Sequence, residues 1–111
     1  MAHPYLKVVK QIDKRMIAKG YKLVSVGDGE EYISSARHSK TELYDWATQT
    51  DMCSLTYRTV YDNAKVCTFY LIYGNGLEDT IYDMGYNCDE SAKDCESVAE
   101  EVAEFYEGVA V

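Results

Sequence analysis

The stretch MCSLTYRTVYDNAKVCTFYLIY, residues 52–73, decides the fold, because it contains the two segments with the strongest strand patterns. Residues 52–60 alternate in polarity and are rich in β-branched and aromatic side chains, as in strands with one buried face. Residues 65–73 are apolar on both faces over much of their length, which favours an interior strand. YDNA at 61–64 is typical of a turn. The stretch therefore predicts two paired antiparallel strands.

Further strands are predicted on both sides of this pair. YKLVSV, beginning at residue 21, and EEYISS, beginning at residue 30, flank a GDG turn at 27–29 and predict a hairpin. On the other side, GNG at 74–76 turns the chain, and EDTIYDMGY predicts a last strand around residues 79–84. The strands together predict an antiparallel sheet of about five members.

Helical patterns occupy the remaining segments. Residues 4–19 carry one apolar stripe, with Pro4 in the first turn and Gly20 at the stop. Ser39 and Glu42 have the spacing of a capping box and predict a short helix over residues 40–48. The predicted stripe of the first helix consists of Tyr5, Leu6, Val9, Ile12 and Met16. Its opposite face carries Lys7, Lys10 and Lys14, which we interpret as a solvated face rather than a nucleic-acid contact.

Residues 89–107 predict a long C-terminal helix with cleanly separated faces. Either Asn87 or Asp89 is expected to cap it. On a helical wheel, one half contains Ala92, Cys95, Val98, Ala99, Val102, Ala103, Phe105 and Tyr106. The other half contains Lys93 with Glu90, Asp94, Glu96, Glu100, Glu101, Glu104 and Glu107.

The order of these elements predicts the fold class. One domain spanning residues 1–111 is expected to be α+β, in the order α-β-β-α-β-β-β-α. The two longer helices, at the N- and C-termini, should pack on one face of the antiparallel sheet, with the shorter one between them in sequence.

Negative charge is concentrated in the last third of the chain. The formal net charge is −8; residues 1–77 hold eight acids and ten bases, whereas residues 78–111 hold eleven acids and one base. Several carboxylates of the C-terminal helix are like-charge neighbours four residues apart, and only Lys93 is expected to offset them locally. Such a segregated acidic block indicates either an ordinary solvated helix face or a surface directed at a partner.

The second interpretation is a hypothesis about function. The C-terminal helix would act as a mimic of a nucleic-acid backbone and bind a basic groove of a protein. Direct binding of nucleic acid is disfavoured by the net charge. The candidate partner-binding residues are Glu78, Asp79, Asp83, Glu90, Asp94, Glu96, Glu100, Glu101, Glu104 and Glu107.

Tyrosine supports an alternative of another class. The chain has eleven tyrosines, and six of them crowd the second half of the sheet, where they are equally compatible with sheet packing and with an interface. The alternative function is therefore a non-catalytic assembly protein that forms a homo-oligomer, such as a homodimer, through its sheet. The six tyrosines are Tyr57, Tyr61, Tyr70, Tyr73, Tyr82 and Tyr86.

Catalytic, metal and membrane signatures are absent from the sequence. It contains no nucleophile elbow, P-loop or zinc-peptidase motif, so we expect no enzymatic activity and no cofactor. The four cysteines lack zinc spacing and are interpreted as free thiols, with a metal or redox role as the alternative for Cys88 and Cys95, which are seven residues apart. With no signal-peptide core and no membrane-length apolar run, the expected location is a cytoplasm. A metal site could form only if the turns that carry these acidic residues converged in the fold. The residues are Asp28, Glu30, Glu31, Asp79 and Asp83.

Two short motifs resemble small α+β proteins of tailed bacteriophages. DGEE at 28–31 lies in a hairpin before a short helix, and Gly74, Asn75, Glu78, Ile81 and Asp83 follow the interior strand. The resemblance covers about two thirds of the chain and excludes the acidic segment from Cys88 onward. It implies a small α+β fold and an origin among phage proteins that disable host or defence machinery, in the cytoplasm of a bacterium. CRISPR effectors and nucleases are among such targets, and the resemblance supplies no catalytic residues.

Overall fold

The two strands of the 52–73 stretch pair with each other inside a five-stranded antiparallel sheet, as predicted. A computed structural model describes residues 3–111. The order of elements is α-β-β-α-β-β-β-α, and the predicted α+β class is confirmed. The elements are α1 (Leu6–Ala18), β1 (Tyr21–Gly27), β2 (Tyr32–Ser34), α2 (Lys40–Ala47), β3 (Met52–Thr59), β4 (Val66–Ile72), β5 (Ile81–Tyr86) and α3 (Asp89–Tyr106).

The strands lie in the order β2-β1-β3-β4-β5. β4 is interior, as its apolar pattern predicts, and β3 occupies the middle of the sheet. The register of β3 and β4 runs without interruption from the pair Met52–Ile72 to the pair Arg58–Val66. Their turn uses Asn63 in a left-handed conformation (φ 56°), which asparagine tolerates better than most residues.

Only one face of the sheet is covered. Because side chains alternate along a strand, residues paired across strands share a face. α1 and α2 contact β1, and α3 contacts β4 and β5, so the helices form a single layer over that face. The other face, called the open face below, contains no buried residue within residues 3–111 apart from the strand-end Gly27. The buried strand residues are Tyr21, Leu23, Val26, Cys53, Leu55, Tyr57, Cys67, Phe69 and Leu71.

The predicted bounds of two strands are wrong. β5 begins at Ile81 rather than residue 79, because the buried Leu77 holds residues Leu77–Asp79 in a single 3₁₀ turn. β2 begins at Tyr32 rather than residue 30. There the carboxylate of Asp28 accepts the backbone N–H groups of residues 30 and 31 at 2.9 and 2.8 Å, which competes with strand pairing.

α1 buries a carboxylate that the predicted stripe omits. Asp13 is only 2% exposed and lies between α1, α2 and β3. Its Oδ2 accepts Lys40 Nζ at 2.7 Å and the Tyr44 hydroxyl at 2.6 Å, and its Oδ1 accepts the buried Tyr57 hydroxyl at 3.1 Å. Burial, and then the neighbouring Asp13 carboxylate, raise the pKa of Tyr57, which keeps this hydroxyl a donor. The cluster connects three elements through one acceptor group.

α2 begins as predicted. The Ser39 hydroxyl accepts the Glu42 N–H at 3.2 Å, and the Glu42 carboxylate accepts the Ser39 N–H at 2.9 Å. This reciprocal capping box fixes the start of the helix that carries Lys40 and Tyr44 to Asp13.

Candidate functional site

The acidic helix α3 begins with a cysteine cap. Cys88 is the N-cap: its Sγ accepts the Ser91 N–H at 3.5 Å, and the Ser91 hydroxyl accepts the Cys88 N–H at 3.1 Å. The prediction of Asn87 or Asp89 as the cap is wrong. The Asn87 side chain instead accepts Val66 N–H at 2.9 Å and donates to the Ala64 carbonyl at 2.8 Å, which ties the start of α3 to the start of β4.

The apolar half of α3 packs on the sheet with one exception. Cys95, Val98, Val102 and Tyr106 are buried, as is Ser91, which the wheel omitted; its hydroxyl stays within the cap by donating to the Cys88 carbonyl. Phe105 was placed in the apolar half but is 53% exposed, with the Arg15 guanidinium 5.4 Å from its ring. The helix is therefore anchored along its length.

Three carboxylates of α3 have partners elsewhere in the fold. Glu101 contacts Arg15 at 3.0 Å and Lys19 at 4.0 Å, Glu90 pairs with Lys65, and Asp94 accepts the Tyr21 hydroxyl at 2.7 Å. The Ser97 hydroxyl, followed by Arg15 and Lys19, lowers the pKa of Glu101, and Lys65 lowers the pKa of Glu90. Lys93 was expected to be the only local base that offsets this charge, and the fold adds three bases that are distant in sequence, Arg15, Lys19 and Lys65.

Four acidic residues from Glu96 to the C-cap Glu107 form one exposed row, whereas the exposed Asp89 lies apart in the first turn of α3. Glu96, Glu100, Glu104 and Glu107 are exposed, and none has an ion-pair partner within residues 3–111. Spacings of four, four and three residues place them on one ridge of the helix. Each step of four residues advances about 6 Å along the axis. We call these four residues the acidic row.

The three candidate residues before α3 separate into two groups. Glu78 and Asp79 are exposed on the 3₁₀ turn, which contacts α3 and extends its acidic surface. Asp83 pairs with Tyr70 on β4, so it lies on the open face. The expectation that Asp83 extends the acidic patch of α3 is therefore wrong, since the sheet lies between them.

The six tyrosines of the alternative interpretation do not form one surface. Tyr57 is buried, and Tyr73 donates its hydroxyl to the Ala47 carbonyl at 2.6 Å beneath the helices. Tyr61 is fully exposed in the β3–β4 turn, and Tyr86 pairs with the buried Cys67 at the sheet edge. Only two tyrosines of the six, Tyr70 and Tyr82, line a hollow on the open face.

Within residues 3–111, no three histidine, cysteine, aspartate or glutamate side chains come together to hold a metal ion. No helix in the same range is long and apolar enough to cross a membrane. The hollow beside Tyr70 and Tyr82 has a volume of about 90 Å³ and lies on the open face.

We expect Cys88 to be the reactive thiol of the folded protein. It is exposed, whereas Cys53, Cys67 and Cys95 are buried. Hydrogen bonds from the Ser91 hydroxyl and then the Ser91 N–H lower the pKa of Cys88, while burial raises the pKa of Cys53 to about 11. We expect iodoacetamide to alkylate one thiol in the folded protein, with a rate midpoint below the usual cysteine pKa of about 8.5.

Mass spectrometry at increasing pH would locate this thiol. The Cys88→Ser protein should remain unmodified until it is unfolded, since serine preserves the cap. A midpoint at or above the ordinary cysteine value, or equal labelling of Cys53, would contradict the capped-thiolate geometry.

Sequence reasoning missed the partners of the acidic helix rather than the helix itself. Arg15, Lys19 and Lys65 are ordinary surface bases in the sequence, and only the packing of α1 and the β3–β4 turn beside α3 brings them close. Asp13 did carry a signal: it lies four residues after Val9, within the apolar stripe.

No protein-family model, curated protein or solved structure matches this chain.

Proposed function

We propose that this chain is a small acidic phage-type protein that binds and inhibits a nucleic-acid-handling protein of a bacterial host or its defence, such as a CRISPR effector or nuclease. The acidic row of α3 would occupy the basic groove that normally holds nucleic acid. The observation that carries the proposal is that four exposed carboxylates stand on one ridge without an ion-pair partner in residues 3–111.

The packing beneath the row supports this assignment. Like charges four residues apart destabilise a helix, and carboxylates in its second half oppose the helix dipole. The buried side chains of α3 and the ion pairs at Glu90 and Glu101 hold the helix in place. The acidic row makes no such contribution, so a role in binding accounts for it better than a role in folding does.

The acidic row resembles a nucleic-acid backbone in two respects: its charges are negative, and they follow one another along a line. Steps of about 6 Å between row members are wider than the 3.4 Å axial spacing of phosphates on one DNA strand. Glu78 and Asp79 add charge on the 3₁₀ turn that contacts α3. A groove lined with flexible lysine and arginine side chains would accommodate this spacing, because their heads adjust independently.

Affinity capture tests the proposal. Tagged protein is incubated with nuclease-treated bacterial lysate at low and at high salt, and the retained proteins are identified by mass spectrometry. We expect a dominant nucleic-acid-handling protein at low salt that is lost at high salt, since exposed charges are screened. Recovery of the bait alone, or of a partner that is indifferent to salt, would contradict the proposal.

A further inference from the structure

The open face of the sheet has a flat, polar centre. Ser25, Thr56, Thr68 and Gly85 lie side by side on four neighbouring strands. The Thr56 and Thr68 hydroxyls are 3.2 Å apart, in hydrogen-bonding contact. Small side chains across the middle of a sheet allow another flat surface to approach closely.

Apolar and aromatic side chains are concentrated at one end of this face. Met52 is 44%, Tyr70 37% and Tyr82 52% exposed, and they surround the 90 Å³ hollow together with Ser54. The rings of Tyr70 and Tyr82 have centroids 6.3 Å apart. A Cβ added at Gly85 would lie 3.8 Å from Tyr70 Cε2, so the Tyr70 side chain leans across that glycine along the sheet.

Charge is segregated along the strands of the open face. Lys22 and Arg58 are paired across β1 and β3 at one end, and both are exposed. Asp83 lies toward the other end, and the β1–β2 turn beyond it carries Asp28 and Glu30. The face therefore has a basic end and an acidic end, and the aromatic side chains lie at the acidic one.

We infer that the open face is the interface between two copies of this chain, packed face to face about a two-fold axis that runs in the interface perpendicular to the strands. That operation places the basic end of each copy over the acidic end of the other. Both ends gain an opposite charge, as an isologous interface requires. A partner whose surface carried charge of only one sign would attract only one end of the open face. A second copy of this chain, which has both signs, therefore fits the face better.

The area of the open face limits how strong a contact between two copies can be. Five strands spaced about 4.8 Å apart, each with about six residues at 3.3 Å, cover roughly 480 Å². Two copies would bury about 1,000 Å², the lower limit for a specific interface. We therefore expect a reversible dimer that is populated at micromolar concentrations or above. Both acidic rows stay on the outer helical layers, so the dimer is independent of the proposed function and would present the row twice.

Sedimentation equilibrium over about 1 μM to 1 mM tests the inference, a range set by the expected weak affinity. We expect a monomer–dimer equilibrium for the native chain. Two double variants, Lys22→Glu with Arg58→Glu and Asp83→Lys with Glu30→Lys, should each weaken dimerisation at least about tenfold, since each leaves like charges opposed. Combining all four substitutions exchanges the two ends and should restore the dimer.

Restoration of the dimer in the fourfold variant would show that the double variants dimerise poorly because of their charges and not because they misfold. Two substitutions that each cause misfolding would not restore dimerisation when they are combined. A monomer at every concentration would overturn the inference. So would a dimer that ignores all four substitutions but is lost when the acidic row is reversed, since that would move the contact to α3.

Discussion

An Asp13→Ala protein should lose about 1–3 kcal/mol of its free energy of unfolding, the cost of leaving the buried Tyr57 hydroxyl without its acceptor. Asp13 is the common acceptor for Lys40, Tyr44 and Tyr57. Its removal leaves the buried Tyr57 hydroxyl without this acceptor and detaches α2 from α1. Since small domains are stable by roughly 5–15 kcal/mol, urea denaturation should show a large decrease in the midpoint with an unchanged slope.

The neighbouring position provides a matched control. Lys14 is exposed on the same helix, so Lys14→Ala should change the unfolding free energy by less than about 0.5 kcal/mol. Asp13→Asn keeps one acceptor oxygen and should fall between the two. Equal stability of the Asp13→Ala and Lys14→Ala proteins would refute the role of this cluster.

Reversing the acidic row should abolish capture of the proposed partner. Glu96→Lys, Glu100→Lys and Glu104→Lys replace three exposed carboxylates and change the net charge from −8 to −2. We expect affinity for the captured protein to fall at least about 100-fold, because like charges would face each other in the groove. The circular dichroism spectrum and unfolding midpoint should stay close to those of the native chain, since these side chains make no tertiary hydrogen bond or ion pair within residues 3–111.

A control variant is needed to separate the effect of net charge on binding from the effect of where the charges lie. Glu31, Asp45 and Asp51 are exposed and lie outside α3, and their reversal to lysine produces the same net charge of −2. This control protein should retain most of its binding. If both triple variants lose binding equally, general attraction to a basic partner accounts for capture and the acidic row has no special role.

The elements of the fold were predictable because their patterns are local. The alternation in residues 52–60 and the apolar run in 65–73 indicate which strand faces are buried, and the Ser39–Glu42 box satisfies backbone groups of its own helical turn, so each pattern can be recognised within a few residues of sequence. The predicted start of β5 was wrong because a tertiary contact decided the conformation there. Leu77 enters the core and draws the chain into a 3₁₀ turn, which no period in the sequence marks.

The sequence was sufficient to predict which residues form the acidic face of α3. It was not sufficient to predict which of those carboxylates pair with bases in the fold. Helical periodicity separates carboxylates from apolar residues, yet it cannot show that Arg15 and Lys65 reach Glu101 and Glu90 across the fold. The same limitation applies to Asp83. Its acidity resembles that of Asp79, and only the strand register places it on the opposite face of the sheet.

Competition for the partner's nucleic acid tests the central claim most directly. Labelled nucleic acid is bound to the captured protein at about 0.1 M salt, where exposed charges still act over roughly 10 Å, and its fluorescence anisotropy is followed as this chain is added. Mimicry predicts complete displacement by the native chain and none by the protein with Glu96, Glu100 and Glu104 reversed. An anisotropy that stays high or increases at saturation would show both ligands bound together, and would contradict the proposal that α3 occupies the nucleic-acid groove.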